Sequence, residues 1–233
     1  MRPILNYGAV KLLNVPHAEA VADEIFVQDC YNFDRIPHGS IVLDVGAFYG
    51  EFAIRCVVEK KCRVVAYEPS PTNRQVLELN RILNGCEDLI ISPQAIGAPG
   101  RRSFTYRPDH PAGSMLSSSA QQQGVEGERE EIECVNLSRA IADARRSWDS
   151  GPIGVKMDCE GAEQEIFNEL AYWIDDIDFI AMEWHNRDGA HFRSHLTAHH
   201  FDVLLEGGGP KPRTWNETIG GGLLFATRKR KSP

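Results

Sequence analysis

The stretch IVLDVGAFYGEFAI, from Ile41 to Ile54, constrains the fold of this chain more than any other part of it. A continuous apolar run that leads into a glycine turn and then an apolar helix is typical of a strand buried in a parallel sheet. A second run of this kind, VVAYEPSP, follows from Val64 to Pro71. Sheets of this type bind ligands at the carboxyl ends of their strands. The sequence therefore predicts an α/β fold with a nucleotide-type pocket at that edge.

The composition of the glycine turn limits which nucleotide the pocket accepts. A pyrophosphate-binding G-x-G-x-x-G that began at Gly46 would need glycine at the positions of Phe48 and Glu51. Phe48 obstructs close approach to the backbone, and Glu51 puts negative charge where a helix N-terminus would receive phosphate. A dinucleotide is therefore disfavoured. S-adenosylmethionine has no phosphate, carries two cationic groups and offers ribose hydroxyls, which Glu68 at the next strand end is placed to bind.

Three motifs in order carry a family resemblance. The motifs are IVLDVGAFYGEFAI, VVAYEPSPTNRQVLELN and IGVKMDCEGAEQEIF, the last from Ile153 to Phe167. Together they resemble the FkbM family of class I S-adenosylmethionine-dependent methyltransferases, and the resemblance covers roughly Glu24 to Trp184, which is most of the chain. The third motif, K-x-D-x-E-G-A-E, is the most family-specific. The resemblance implies a Rossmann-like, mostly parallel seven-stranded sheet with an antiparallel last strand and helices on both faces.

We predict that S-adenosyl-L-methionine, and its product S-adenosyl-L-homocysteine, contact the ends of successive strands. Gln94 to Ile96 follow a third strand, where this fold usually meets the adenine, although an ordinary strand exit with a buried Ile96 is the competing interpretation. The predicted cofactor-binding residues are Asp44, Gly46, Ala47, Phe48, Gly50, Glu51, Phe52, Glu68, Pro69, Gln94, Ala95, Ile96 and Asp158.

The predicted catalytic residues follow two further strands. Lys156, Asp158 and Glu160 alternate along VKMDCEG, which puts them on one side of a strand end at the pocket rim. We expect Asp158 to contact the methionine or sulfonium side of the cofactor and to orient the acceptor. Glu160 or His185, which follows FIAMEW, is the expected base. An ion pair of Lys156 with Glu160 or Glu183 for a purely structural purpose is the alternative.

The same residues raise the question of a metal. Asp158, Glu160, Glu183 and His185 offer ligands that could hold Mg²⁺ against a diol substrate. Their spacing along the chain demands no ion, and we predict no metal.

Length and patterning indicate one domain. The 233 residues suit one large α/β domain, and no linker divides them. We expect residues 1–40 to cap the pocket and residues 99–131 to form an insertion over the active site, hairpin-like at first and without structure from Gln121 to Glu131. Between them we predict a helix that Ser70 caps and that buries a stripe of Val76, Leu79 and Leu83.

Charge and hydropathy exclude several partners. The net charge is −8, and the chain before the basic run Arg228–Lys231 is more acidic still, which weighs against nucleic acid as a partner. No apolar run is long enough to cross a membrane, and MRPILNYGAV lacks the apolar core of a signal peptide, so we predict a cytoplasmic protein. The six cysteines include no C-x-x-C pair and predict free, mostly buried thiols. The sequence leaves homo-oligomerisation open.

These observations predict a methyltransferase that acts on a hydroxyl of a small molecule, and the resemblance implies sugars or polyketide-type natural products as acceptors. N-methylation of an amine or peptide is the first alternative. A nicotinamide-dependent oxidoreductase would share the fold and Glu68 but is opposed by Phe48 and Glu51. A catalytically silent cofactor-binding protein is the last alternative, which the intact site carboxylates disfavour.

Overall fold

A computed structural model describes residues 3–124, 126–185, 189–206 and 221–229 of the chain. The strands are β1 (Ile4–Tyr7), β2 (Val10–Leu13), β3 (Ile41–Val45), β4 (Arg63–Tyr67), β5 (Leu89–Ser92), β6 (Ala95–Ile96), β7 (Gly100–Tyr106), β8 (Met115–Leu116), β9 (Glu128–Val135), β10 (Ile153–Met157), β11 (Phe179–His185), β12 (Phe201–Glu206) and β13 (Gly221–Arg228). The helices are α1 (Ala18–Phe26), α2 (Glu51–Lys60), α3 (Pro71–Leu83), α4 (Ser117–Gln123), α5 (Leu137–Ser147), α6 (Glu163–Asn168) and α7 (Gly189–Ala198). Within these ranges no helix is long and apolar enough to cross a bilayer.

Seven strands form the central sheet in the order β12-β13-β11-β10-β3-β4-β5. β13 is antiparallel to both of its neighbours, β11 and β12, and the pairs from β11 to β5 are parallel. This confirms the predicted fold class, including the antiparallel last strand. In the register of the sheet Lys156 of β10 lies opposite Asp44 of β3, so the two central strands end side by side. Side chains that follow these strands therefore converge at one edge.

Helices cover both faces of the sheet. On one face α1, α2 and α3 contribute Ile25, Phe52 and Leu77 to a buried cluster that also holds Val42 of β3. On the other face α5, α6 and α7 pack against alternate residues of the same strands, such as Leu43. Every residue of β3 and of β10 is buried, because both of their faces are covered.

The predicted start of α3 is confirmed, but its predicted buried face is wrong. Ser70 accepts a hydrogen bond from the backbone of Asn73 at 3.4 Å and Pro71 opens the helix, whereas Leu79 and Leu83 are 53% and 38% exposed. The buried residues are Asn73, Leu77 and Asn80. The Asn80 side chain accepts from the backbone of Leu13 at 2.8 Å and donates to the carbonyl of Tyr49 at 2.9 Å. Side-chain amide hydrogen bonds help to determine which face of α3 is buried, and the spacing of apolar residues in the sequence cannot show such bonds.

The insertion is more ordered than predicted. β7 pairs antiparallel with β9 over its whole length, and a second sheet has the order β6-β9-β7-β8. Residues 121–123 end α4 and residues 128–131 are strand, so the prediction of a segment without structure from Gln121 to Glu131 is wrong at both places. The charges of β9 point outward, while Ile132 and Cys134 are buried. A strand whose paired residues lie 22 to 34 positions away, and whose first half is polar on both faces, carries no local signal of its own.

Candidate active site

The glycine turn after β3 is shaped by close approach to the neighbouring strand end. Gly46 has φ +76, and a Cβ atom there would lie 1.9 Å from the carbonyl oxygen of Asp158. The backbone N–H groups of Gly46 and Ala47 both donate to the carbonyl of Tyr67 at 3.1 Å. Gly50, with φ +86, begins α2, and a Cβ there would meet the Leu77 side chain at 2.0 Å. The turn is thus held against β4, α3 and the end of β10 at once.

Glu68 lies at the end of β4 beside this turn. Its carboxylate accepts hydrogen bonds from the backbone of Phe48 at 2.8 Å and of Ser70 at 2.9 Å, and from the Asn73 side-chain amide at 3.3 Å. Burial raises the pKa of Glu68 to about 7 despite these donors. Asn73 also donates to the carbonyl of Pro111, at 3.4 Å, which brings the insertion against this part of the site.

Lys156 and Asp44 form a buried ion pair between the ends of β10 and β3. Their nitrogen and oxygen lie 3.2 Å apart, and the Lys156 ammonium also donates to the carbonyl of Gly46 at 2.7 Å. Burial alone would lower the pKa of Lys156, but Asp44 and Asp158 raise it above its ordinary value, so the side chain is charged. Lys156 is only 4% exposed. Lys156 is therefore part of a buried ion pair, but its partner is Asp44, which the sequence analysis did not name when it considered Glu160 and Glu183.

Several acceptor oxygens around the turn have no ordinary hydrogen bond. Among the described residues these include Oδ2 of Asp44, whose Oδ1 is paired with Lys156, Oε1 of Glu51 and the side-chain oxygen of Asn73, all of which are buried. Burial raises the pKa of Glu51 to about 8, so this side chain is largely protonated at neutral pH and does not carry the negative charge that the sequence analysis expected at the turn. A pocket with buried acceptors in excess of donors suits a ligand that brings donors or positive charge.

The remaining predicted cofactor residues divide between pocket and core. Phe48 has φ +52 and stacks on Tyr49 with ring centroids 3.7 Å apart, and both rings are buried. Phe52 lies in the core beneath the turn, and Ile96 packs in the cluster on the opposite face of the sheet, as the competing interpretation of that segment expected. The other four follow the ends of β3, β4 and β5: Ala47 and Ala95 are buried in hydrophobic clusters, and Pro69 and Gln94 are partly exposed.

A second group of charged side chains lies where β10 and β11 end. His185 Nε2 is 3.6 Å from Glu160 Oε2 and 3.8 Å from Glu183 Oε1. The hydroxyl of Tyr31 donates to Asp158 Oδ2 at 2.8 Å. Burial acts to lower the pKa of His185, but the surrounding carboxylates outweigh it and raise that pKa well above its ordinary value. The structure thus brings Asp158, Glu160 and His185 together. The predicted alternation of Lys156, Asp158 and Glu160 along one strand is wrong, because β10 ends at Met157 and Lys156 pairs with Asp44.

Glu163 is a site residue that the sequence analysis missed. It is fully buried, and its Oε1 lies 3.2 Å from His185 Nδ1. The same carboxylate accepts from the backbone of Cys159 at 3.0 Å and of Gly161 at 3.1 Å. The signal was present, because Glu163 is the last acidic residue of the K-x-D-x-E-G-A-E motif. Glu163 begins a helix, where acidic residues are common, so its position in the sequence does not by itself indicate a site residue.

The central sheet order, the glycine turn and the acidic strand ends define a class I methyltransferase fold. A profile described as the methyltransferase FkbM domain matches residues 44–208, which is most of the chain. The chain therefore belongs to the FkbM methyltransferase family, as the three motifs predicted.

Two relatives and one solved structure show how far the similarity extends. The AMB antimetabolite synthetase AmbE of Pseudomonas aeruginosa is 34% identical over 123 residues, 52% of this chain and 6% of that protein. Methyltransferase sdnD of Sordaria araneosa is 28% identical over 120 residues, 48% of this chain and 43% of that protein. The matched segment thus spans less than half of either relative. The structure of an rRNA methylase from Streptococcus thermophilus is 10% identical, with a TM-score of 0.49, over 88% of this chain and 96% of that one. A similarity this low carries no argument about function.

Proposed function

We propose that this protein transfers a methyl group from S-adenosyl-L-methionine to a hydroxyl of a small molecule. The observation that carries the choice of cofactor is the excess of buried acceptor oxygens around the glycine turn, on Asp44, Glu51 and Asn73. Phosphate would add negative charge there, whereas ribose hydroxyls, an ammonium and a sulfonium supply donors and positive charge. Family membership supports the same choice.

Glu68 is the proposed partner of the ribose hydroxyls. It sits at the end of β4 and is already oriented by the backbone of Phe48 and Ser70, so little ordering is needed when a ligand binds. Each oxygen of a carboxylate has two acceptor sites, which leaves capacity for hydroxyl donors beside the existing bonds.

The acceptor would be held at the ends of β10 and β11. When bound, the cofactor supplies a methyl group on a sulfonium, and the acceptor oxygen must be aligned with it and lose its proton. Alignment is worth up to about 7–11 kcal/mol in favourable cases, and a base adds roughly 10²- to 10⁴-fold. Asp158, fixed by Tyr31, orients the acceptor hydroxyl. Glu160 receives its proton, because the surrounding carboxylates raise the pKa of His185 and keep that imidazole protonated.

Titration calorimetry with S-adenosylmethionine and S-adenosylhomocysteine tests the cofactor assignment. We expect saturable binding by the wild type and binding about 10- to 100-fold weaker by Glu68→Ala, since a hydrogen bond to a charged group is worth about 1.5–3 kcal/mol. Glu78→Ala is the matched control, because Glu78 lies on α3 and pairs with Arg81 at the surface. Equal binding by wild type and Glu68→Ala would remove the ribose contact. Binding of NAD in place of S-adenosylmethionine would overturn the proposed function.

A panel of sugars and their matched amino sugars, incubated with methyl-labelled cofactor, tests the acceptor class. We expect label on hydroxyl oxygens of the unsubstituted sugars. Label confined to the amines would favour N-methylation instead.

A further inference from the structure

Three potential metal ligands converge at the rim of the acceptor site. One atom each from Asp158, Glu160 and His185 lies within 4.8 Å of the other two, and all three residues are partly exposed. We propose that these side chains hold a hard divalent cation, Mg²⁺ or Mn²⁺. The sequence analysis expected no metal because the spacing along the chain demands none. The convergence is a product of the fold, since β10 and β11 are adjacent and parallel.

The separations fit a coordination shell. Two ligand atoms that each lie about 2.1 Å from one octahedral ion are about 3 Å apart when adjacent and about 4.2 Å apart when opposite. His185 Nε2 lies 3.6 Å from Glu160 Oε2, which falls inside this range and is too long for a hydrogen bond. The ligand atoms of all three residues lie within 4.8 Å of one another, and the partly exposed Asp158 and Glu160 side chains can move toward an ion.

An observation outside the three ligands supports the same conclusion. Nδ1 of His185 faces the carboxylate of Glu163, which is fully buried and itself fixed by the backbone of Cys159 and Gly161. Metal-binding histidines are characteristically held in this way, with a carboxylate on one ring nitrogen and the ion on the other. Glu163 therefore fixes the ring so that Nε2 faces Glu160.

The local charge also favours a cation. Asp158, Glu160, Glu163 and Glu183 lie around the one imidazole of His185, and the ammonium of Lys156 pairs with Asp44 and interacts with Asp158. Glu163 and Glu183 are buried, where like charges raise each other's cost. A divalent ion at the partly exposed rim would add positive charge to this group.

The role of the ion rests on the proposed function, although its binding does not. An ion at this position would bind the acceptor hydroxyl and lower its pKa. Glu160 would then serve as a ligand rather than as the base, and the proton would pass to solvent as the new O–CH₃ bond forms and the sulfonium C–S bond breaks. An acceptor with a second oxygen beside that hydroxyl would bind best, because both oxygens reach the ion.

Electron paramagnetic resonance of free Mn²⁺, titrated with the whole chain, tests the site without any acceptor. We expect the wild type to remove one equivalent of Mn²⁺ from the free pool, and Asp158→Asn and Glu160→Gln each to bind at least about 10-fold more weakly. Glu163→Gln should weaken binding about 10- to 100-fold although it provides no ligand. Glu133→Gln, an exposed carboxylate of β9, is the matched control and should bind as the wild type does.

Two outcomes would overturn the metal site: a wild type that leaves millimolar Mn²⁺ free, or a Glu160→Gln variant that binds as tightly as the wild type. Glu160 is partly exposed, so this substitution leaves the core intact, and a thermal melt checks that it does. Calorimetry with S-adenosylmethionine in the presence of a chelator measures cofactor binding without the metal, so the proposed function and the metal site are tested separately. Mn²⁺ binding without S-adenosylmethionine binding would remove the proposed function and keep the metal site.

Discussion

At the scale of single residues, the candidate site contains charged side chains that are already buried in the folded protein before any ligand binds. The ammonium of Lys156 pairs with Asp44, donates a hydrogen bond to the carbonyl of Gly46 and is attracted by the charge of Asp158. One cation therefore holds the ends of β3 and β10 together. Removing one partner of such a pair leaves an uncompensated buried charge, which costs more than the pair contributes. The residues that shape the cofactor pocket are therefore also residues on which the sheet depends.

Glu51 offers a test of this burial through pH. Its pKa is raised to about 8, so in the folded protein it keeps a proton that the unfolded chain releases near pH 4.5. The unfolded state binds fewer protons between these values, and stability contributed by this residue falls as pH rises. We expect Glu51→Gln to gain more than about 1 kcal/mol relative to wild type between pH 5 and pH 8.

Urea unfolding at a series of pH values measures this difference. Glu87→Gln, an exposed residue, is the control and should follow the wild-type curve. Wild-type and Glu51→Gln curves that stay parallel from pH 5 to pH 8 would show that Glu51 is ionised in the folded protein.

At the scale of elements, apolar pattern predicts strands well and helix faces less well. β3 begins at Ile41 and β10 at Ile153, where the first and third motifs begin, because strands buried on both faces are continuous apolar runs. The buried face of α3 was missed, because two of its three buried residues are asparagines. Part of β9 was missed, because its pairing with β7 is non-local.

The face of α3 can be measured with two substitutions of the same kind. Leu77 is fully buried, and Leu79, two positions later, is 53% exposed. We expect Leu77→Ala to lower the free energy of unfolding by about 2–5 kcal/mol and Leu79→Ala by less than about 1 kcal/mol. Urea unfolding of the two variants gives both values. A larger loss of unfolding free energy for Leu79→Ala than for Leu77→Ala would show that the face predicted from apolar periodicity is the buried one.

At the scale of the whole molecule, the site is assembled from parts of the chain that are far apart in sequence. The strand-end carboxylates were predictable because parallel strands end at one edge. The hydrogen bond from Tyr31 to Asp158, by contrast, joins residues 127 positions apart, and no local pattern indicates it. The same holds for the contact of Asn73 with Pro111 in the insertion. The sequence thus predicts which residues reach the site, and the fold decides which of them touch.

The hydrogen bond from Tyr31 to Asp158 joins the N-terminal segment to the candidate active site. Tyr31 is 5% exposed and packs edge-on against Phe52, with ring centroids 5.3 Å apart, so its hydroxyl has a fixed direction. A double-mutant cycle of Tyr31→Phe and Asp158→Ala, followed by urea unfolding, isolates the interaction. We expect a coupling energy of about 1.5–3 kcal/mol, the range for a hydrogen bond to a charged group.

Tyr7→Phe combined with Asp158→Ala is the matched control for this cycle. Tyr7 also donates to a carboxylate, at 2.5 Å, but its acceptor is Asp23 within the N-terminal segment itself. The two substitutions should therefore be additive to within about 0.5 kcal/mol. If the Tyr31 cycle is additive to the same degree, the segment only covers the site and Asp158 is oriented by the strand end alone. A coupling energy in the expected range means that the N-terminal segment and the end of β10 together hold the carboxylate of Asp158 in place. Loss of either would then leave that carboxylate disordered.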